Sequence, residues 1–179
     1  MSSMKMKVTT RMMTRAALFG VLTFILGFIQ IPIGPVPVTL QTLAVLMAGL
    51  LLKPLTACLA MLLHMLLKIV LWGASPFVSP SFGFVIAFVI AAPFLSYLTQ
   101  NRNERRFSMV FNLVIVTFLI YLIGLPYMVL VLRYYMKQTL SFVNVLMAGM
   151  VVFLPGDFLK AVLAWFLAHR LSLYTMRLE

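Results

Sequence analysis

The chain has 179 residues, and its 14 Lys and Arg against 3 Asp and Glu give a formal net charge of +11. It is 64% apolar and only 9% charged, where soluble domains average about 45–50% apolar and about 25% charged. So few charges cannot cover a water-soluble fold. That excludes a soluble domain, a secreted disulfide scaffold and a disordered chain, and it leaves an all-α polytopic membrane protein with a single domain over residues 1–179.

The first apolar run, residues 16–33, follows Lys5, Lys7, Arg11 and Arg15. No clear small-x-small cleavage site comes after it, so it reads as a retained helix rather than a signal peptide. Residues 39–52 form a second, short span, and residues 55–71 a third beyond Lys53-Pro54. Residues 82–98 and 109–132 are the fourth and fifth. As one helix, residues 141–173 would run about 50 Å, against about 30 Å of hydrocarbon. Leu154-Pro155-Gly156-Asp157 divides that stretch, since Pro and Gly break helices and Asp is a favoured N-cap. The division predicts a short interfacial or re-entrant helix over 143–153 and a sixth span over 158–173, with Asp157 at its start.

Six spans put both termini on one side. Lys5, Lys7, Arg11, Arg15, Lys53, Arg102, Arg105, Arg106, Arg170 and Arg177 fall on that side, ten in all, against Arg133 and Lys137 on the other. Basic loops stay in the cytoplasm, so both termini are expected there. The positive charge is therefore topogenic, and no nucleic-acid partner is implied; the partner it implies is the lipid bilayer. The longest polar stretch, residues 99–107, is too small to bind ATP, and there is no Gly-rich phosphate loop. Any ATPase must be another chain. Cys58 stands alone in an apolar run and reads as a packing residue.

Asp157 is the only Asp, and Lys160 follows three residues later, on the same helical face. A charge inside a membrane costs at least about 2.5–3.5 kcal/mol, so such residues tend to be paired and functional. Together they offer an anionic acceptor and a cationic donor at the mouth of an outward pocket. The structural alternative is a plain N-cap with a snorkelling Lys. Gln30, Thr39, Gln41 and Thr42 flank Pro32, Pro35 and Pro37, a stiff loop that reads equally as a pocket lid or as a turn between spans. Ser79-Pro80-Ser81-Phe82-Gly83-Phe84 combines a chain break, a close-approach glycine and two aromatics. Tyr121 sits mid-span, where a buried phenol seeks a hydrogen-bond partner. Ala16 and Gly20 form a small-xxx-small pair suited to close helix contact, within the chain or with a partner. His64 reads as a satisfied core residue, and Lys68 as a snorkelling one. No metal-ligand cluster and no catalytic constellation appears, so neither a cofactor nor an enzyme is expected.

Three segments carry a family resemblance. Ile31-Pro32-Ile33-Gly34-Pro35-Val36-Pro37-Val38-Thr39-Leu40-Gln41-Thr42-Leu43 resembles the first-loop signature of the BioY family, the biotin-specific S components of energy-coupling-factor (ECF) transporters. Leu154-Pro155-Gly156-Asp157-Phe158-Leu159-Lys160-Ala161 is similar to its Pro-Gly-Asp-x-x-Lys motif. Ser79-Pro80-Ser81-Phe82-Gly83-Phe84 resembles its Gly-Pro-Thr-Gly-Gly-Tyr motif, with one Gly, the Thr and the Tyr replaced. The resemblance runs from Arg15 to about Arg170. It implies six membrane helices, an outward pocket for biotin, and association with a transmembrane coupling protein and a pair of ATPases in a bacterial plasma membrane. It implies ligand-binding roles for Asp157 and Lys160, with Thr39, Gln41, Ser81, Gly83, Phe84 and Tyr121 expected around them, and a docking role for Ala16 and Gly20. Asp157 would accept from a ureido N–H, and Lys160 would donate to the ureido oxygen or to the carboxylate. Other readings are an S component for a different small vitamin, an intramembrane enzyme, or a scaffold without a ligand.

Overall fold

The structure, a computed structural model, describes residues 9–33, 35–99, 106–138 and 141–175. Seven α-helices account for most of these residues: α1 (Thr10–Leu26), α2 (Gln41–Leu51), α3 (Pro54–Trp72), α4 (Phe82–Thr99), α5 (Arg106–Leu130), α6 (Phe142–Leu146) and α7 (Leu154–Thr175). Two-residue strands β1 (Gln30–Ile31) and β2 (Val38–Thr39) pair antiparallel, Gln30 opposite Thr39 and Ile31 opposite Val38.

Local chemistry sets the boundaries. The Thr9 hydroxyl accepts from the Met12 N–H at 3.3 Å and caps α1. Lys53 is extended, and Pro54 opens α3, where its missing N–H costs no helical bond. Gly73, at φ 62°, turns the chain out of α3 in a conformation that side chains other than glycine rarely adopt. Ser96 Oγ donates to the Leu52 carbonyl at 2.5 Å and ties α4 to the α2–α3 junction. Where a Cβ would stand on Gly49, the Leu95 side chain already lies 2.8 Å away, so α2 and α4 meet at close range.

The first span differs from the sequence expectation at both ends. It starts at Thr10 and stops at Leu26, because residues 30–31 leave the helix to pair with 38–39. The prolines beyond Ile31 donate no N–H, which keeps that ladder short. The second span is shorter than expected: α2 has 11 residues and reaches only about 17 Å at 1.5 Å per residue. Its Ala44, Val45, Leu46 and Ala48 are fully buried, so α2 is an interior helix. The fifth extends past residue 132 through a π-helical turn, Val131–Tyr135.

The C-terminal break lies earlier than the Pro-Gly pair. After α6 the chain makes a π-helical turn, Met147–Val151, and a turn at residues 152–153. Then α7 begins at Leu154 and takes Pro155 and Gly156 into its first turn, where proline is tolerated. Asp157 is therefore not an N-cap. Its N–H donates to the Phe153 carbonyl at 2.8 Å, and its carboxylate sits in the first turn, favourably placed in the helix dipole.

Among the described residues, four helices are long and apolar enough to cross a membrane: Pro54–Trp72, Phe82–Thr99, Met109–Tyr135 and Gly149–Leu171. Leu18, Val70, Phe118, Leu122 and Phe158 are exposed on the outside of the bundle, as a hydrocarbon solvent allows. The molecule is a multi-pass membrane protein. Arg11, Arg15, Lys53 and Arg170 gather at one end of the bundle, and Arg133 and Lys137 at the other. Lys5, Lys7, Arg102, Arg105 and Arg177 lie outside the described residues.

Candidate functional site

A cavity opens at the end of the bundle away from the N-terminus. The ends of α1 and α3, the upper part of α5 and the starts of α2, α4 and α7 all contribute to it, as does the β1–β2 loop. It has a deep chamber of about 90 Å³ and an outer chamber of about 320 Å³. Gly27, Gln30, Lys68 and Ser81 line both and form the neck between them.

Asp157 and Lys160 stand in the deep chamber, on one face of the first turns of α7. Lys160 Nζ donates to Asp157 Oδ1 at 2.8 Å, and only 6% and 8% of the two side chains is exposed. Tyr121 on α5 donates its hydroxyl to Asp157 Oδ2. Each oxygen of the carboxylate thus accepts one bond and keeps a lone pair, while Lys160 keeps two N–H donors. The arrangement can hold a group that both donates and accepts hydrogen bonds.

The walls come from separate elements. Phe84 stacks near Phe153, with ring centroids 6.5 Å apart and planes at 17°, and meets Tyr121 edge-on at 6.4 Å. Gly124 makes room for this ring, because a Cβ there would collide with Phe84. Val36, Phe88 and Ile120 add apolar surface. Thr39 and Thr42 face the chamber, and Thr39 Oγ1 accepts from the Gln41 N–H at 3.4 Å. The Gln41 amide lies 3.5 Å from His64 Nε2. His64 is not the satisfied core residue expected, since its Nδ1 has no partner among the described residues.

Most of the residues singled out from sequence meet here: Asp157, Lys160, Thr39, Gln41, Ser81, Phe84 and Tyr121 all line the deep chamber. Gly83 does not. It faces α5, where a side chain would run into Tyr127 and the Gly124 carbonyl, so the two helices meet closely there. Gly34 of the first-loop motif lies outside the described residues. Ala16 and Gly20, for which a docking role is expected, lie against the inside of the bundle. Both are buried, and a Cβ on Gly20 would stand 2.7 Å from the Ala60 carbonyl and 3.1 Å from Leu63 on α3. The small residues let α1 and α3 approach closely within the chain. Both chambers also take in Lys68, which the sequence presents as a snorkelling residue. Lys68 and Lys160 are the two cations that fall within apolar spans.

The BioY family profile matches residues 2–176, nearly the whole chain. The chain belongs to the BioY family. Among curated relatives of the family, the probable biotin transporter BioY of Bacillus subtilis (strain 168) is 31% identical over 175 residues, covering 89% of each chain. The biotin transporter BioY of Rhizobium etli is 28% identical over 176 residues, covering 88% of this chain and 90% of that one. The fold is similar to that of a crystallised S component for biotin from an ECF-type ABC transporter, with a TM-score of 0.75 and 24% identity over 93% of this chain and 95% of that one. It is also similar to the S component of a bacterial ECF transporter, with a TM-score of 0.67 and 16% identity over 92% and 97% of the two chains.

Proposed function

We propose that this protein is the biotin-binding S component of an ECF transporter in a bacterial plasma membrane. The observation that carries the reading is the Tyr121–Asp157–Lys160 cluster at the floor of the cavity, on the Pro-Gly-Asp-x-x-Lys motif of the family. A ureido group needs an acceptor for its N–H and donors for its oxygen; Asp157 and Lys160 supply them side by side. Phe84, Phe153 and Val36 supply apolar walls for a thioether ring. The likeness to named biotin transporters supports the same ligand.

The mechanism follows from the bundle's build. Residues 1–179 act as one membrane-embedded domain with six crossings, α2 contributing a half-length interior helix and both termini in the cytoplasm. The ligand enters from outside and is desolvated between helix ends, where the charge-assisted bonds of Asp157 and Lys160 strengthen. Release inward needs energy, and with no Gly-rich phosphate loop in the sequence, a transmembrane coupling protein and a pair of ATPases supply it. The chain itself performs no chemistry on the vitamin.

The test is equilibrium binding of tritiated biotin to the detergent-purified protein, with thiamine and riboflavin as competitors. Saturable binding that only biotin displaces is the expected result. Binding of another vitamin with no affinity for biotin would overturn the ligand assignment.

A further inference from the structure

Lys68 sits in the last turns of α3, partly buried, at the neck where the deep and outer chambers join. No acidic side chain pairs with it among the described residues. Asp157 is engaged by Lys160 and Tyr121, and the two other acids, Glu104 and Glu179, lie outside the described residues, in sequence beyond the far ends of α4 and α7. A cation within a spanning helix is costly, which makes it a functional residue by default. Lys68 and Lys160 are the two lysines that line the cavity, and Lys160 already spends its charge on Asp157. A carboxylate brought to Lys160 would also be brought to the Asp157 anion, and like charges repel. At Lys68 it would meet an uncommitted cation.

Size leads to the same place. The deep chamber, about 90 Å³, is well below the range of about 300–1,000 Å³ usual for small-molecule sites. The outer chamber, about 320 Å³, supplies the room that the deep chamber lacks. A ligand seated on Asp157 must therefore extend through the neck, past Lys68. Beyond the neck, Phe24, Phe28 and Trp72 form an apolar wall, with ring centroids 5.3–5.9 Å apart. From these placements we infer that Lys68 receives the carboxylate of the ligand's acid tail. Lys160 is thereby assigned to the ureido oxygen. Lys68 is a specificity-determining residue: it selects ligands whose far end is anionic. The inference rests on biotin being the ligand.

The experiment compares biotin with biotin methyl ester, which lacks the negative charge, as competitors for tritiated biotin on wild-type protein and on Lys68→Met, Lys68→Arg and Lys160→Met. The ratio of the two affinities is read within each variant, so a partly folded preparation does not disturb it. Wild type should prefer the acid by about 10- to 150-fold, the span of a hydrogen bond to a charged group. Lys68→Met should bring that preference below about threefold, and Lys68→Arg should keep most of it. Lys160→Met should weaken both ligands and leave the preference intact. A preference that survives Lys68→Met, or that is lost in Lys160→Met instead, would overturn the assignment of Lys68 alone. No biotin binding by wild-type protein would bring down the proposed function, and this assignment with it.

Discussion

The hydroxyl of Tyr121 on α5 is donated to the carboxylate of Asp157 on α7, joining two helices whose residues are 36 apart in sequence. Both side chains are buried, and the carboxylate oxygen that Tyr121 reaches is the one Lys160 leaves free. Hydrogen bonds to charged groups contribute about 1.5–3 kcal/mol. Tyr121→Phe should therefore lower the thermal stability of the empty protein, and should weaken biotin binding less than a change at Asp157 itself. A melting curve and a biotin titration on the same preparation check this. Unchanged stability would mean that Tyr121 does not anchor the carboxylate.

Asp157 and Lys160 form a buried pair, and removing one partner strands the other at a cost of about 3–5 kcal/mol. Lys160→Met should thus destabilise the empty protein. The double variant Asp157→Asn/Lys160→Met should be more stable than the two single losses added together, because no charge is left uncompensated. Strict additivity in thermal or denaturant unfolding would contradict the pairing.

Gly20 is predicted to act on the fold rather than on assembly. With the Ala60 carbonyl 2.7 Å from the place of its Cβ, Gly20→Trp must push α1 off α3. Overpacking costs about 1–3 kcal/mol. Stability and biotin binding should fall together, and even Gly20→Ala should lower the melting temperature. A Gly20→Trp protein that melts and binds as wild type, but no longer associates with a coupling module, would restore the docking role.

Orientation follows from the basic residues. On a Cys58→Ser background, Asn103→Cys and Ser172→Cys should react with impermeant thiol reagents only from the cytoplasm, and Gln138→Cys only from outside. The reverse pattern would invert the charge argument.

The site was legible in sequence where a single residue carried an unusual cost. A lone Asp and a Lys three residues on, in an apolar stretch, stand out because charge in hydrocarbon demands a reason. Their partner Tyr121 was recognisable as a residue in search of a bond, but no spacing rule couples positions on α5 and α7. Helix ends were less legible. Hydropathy alone continues the first span to residue 33, because Ile29, Ile31 and Ile33 are as apolar in and around a β-pair as in a helix. Pro155 and Gly156 read as a break in the sequence, whereas proline in a first turn is a start. The Ala16–Gly20 spacing announced a close contact without saying which helix would fill it, and α3 does. Lys68 was visible as an intramembrane cation, but its place at the neck depends on α1 and α4 closing around the end of α3.

A titration of biotin into folded Asp157→Asn protein beside wild type shows whether the Asp157 carboxylate holds the ligand. The substitution keeps the shape of the side chain, removes its charge, and can turn N–H donors toward the ligand's own N–H. Loss of a charge-assisted hydrogen bond should weaken binding by about 1.5–3 kcal/mol, which is about 10- to 150-fold in affinity. Wild-type affinity in the Asp157→Asn protein would contradict the account and leave Asp157 as a structural residue of α7.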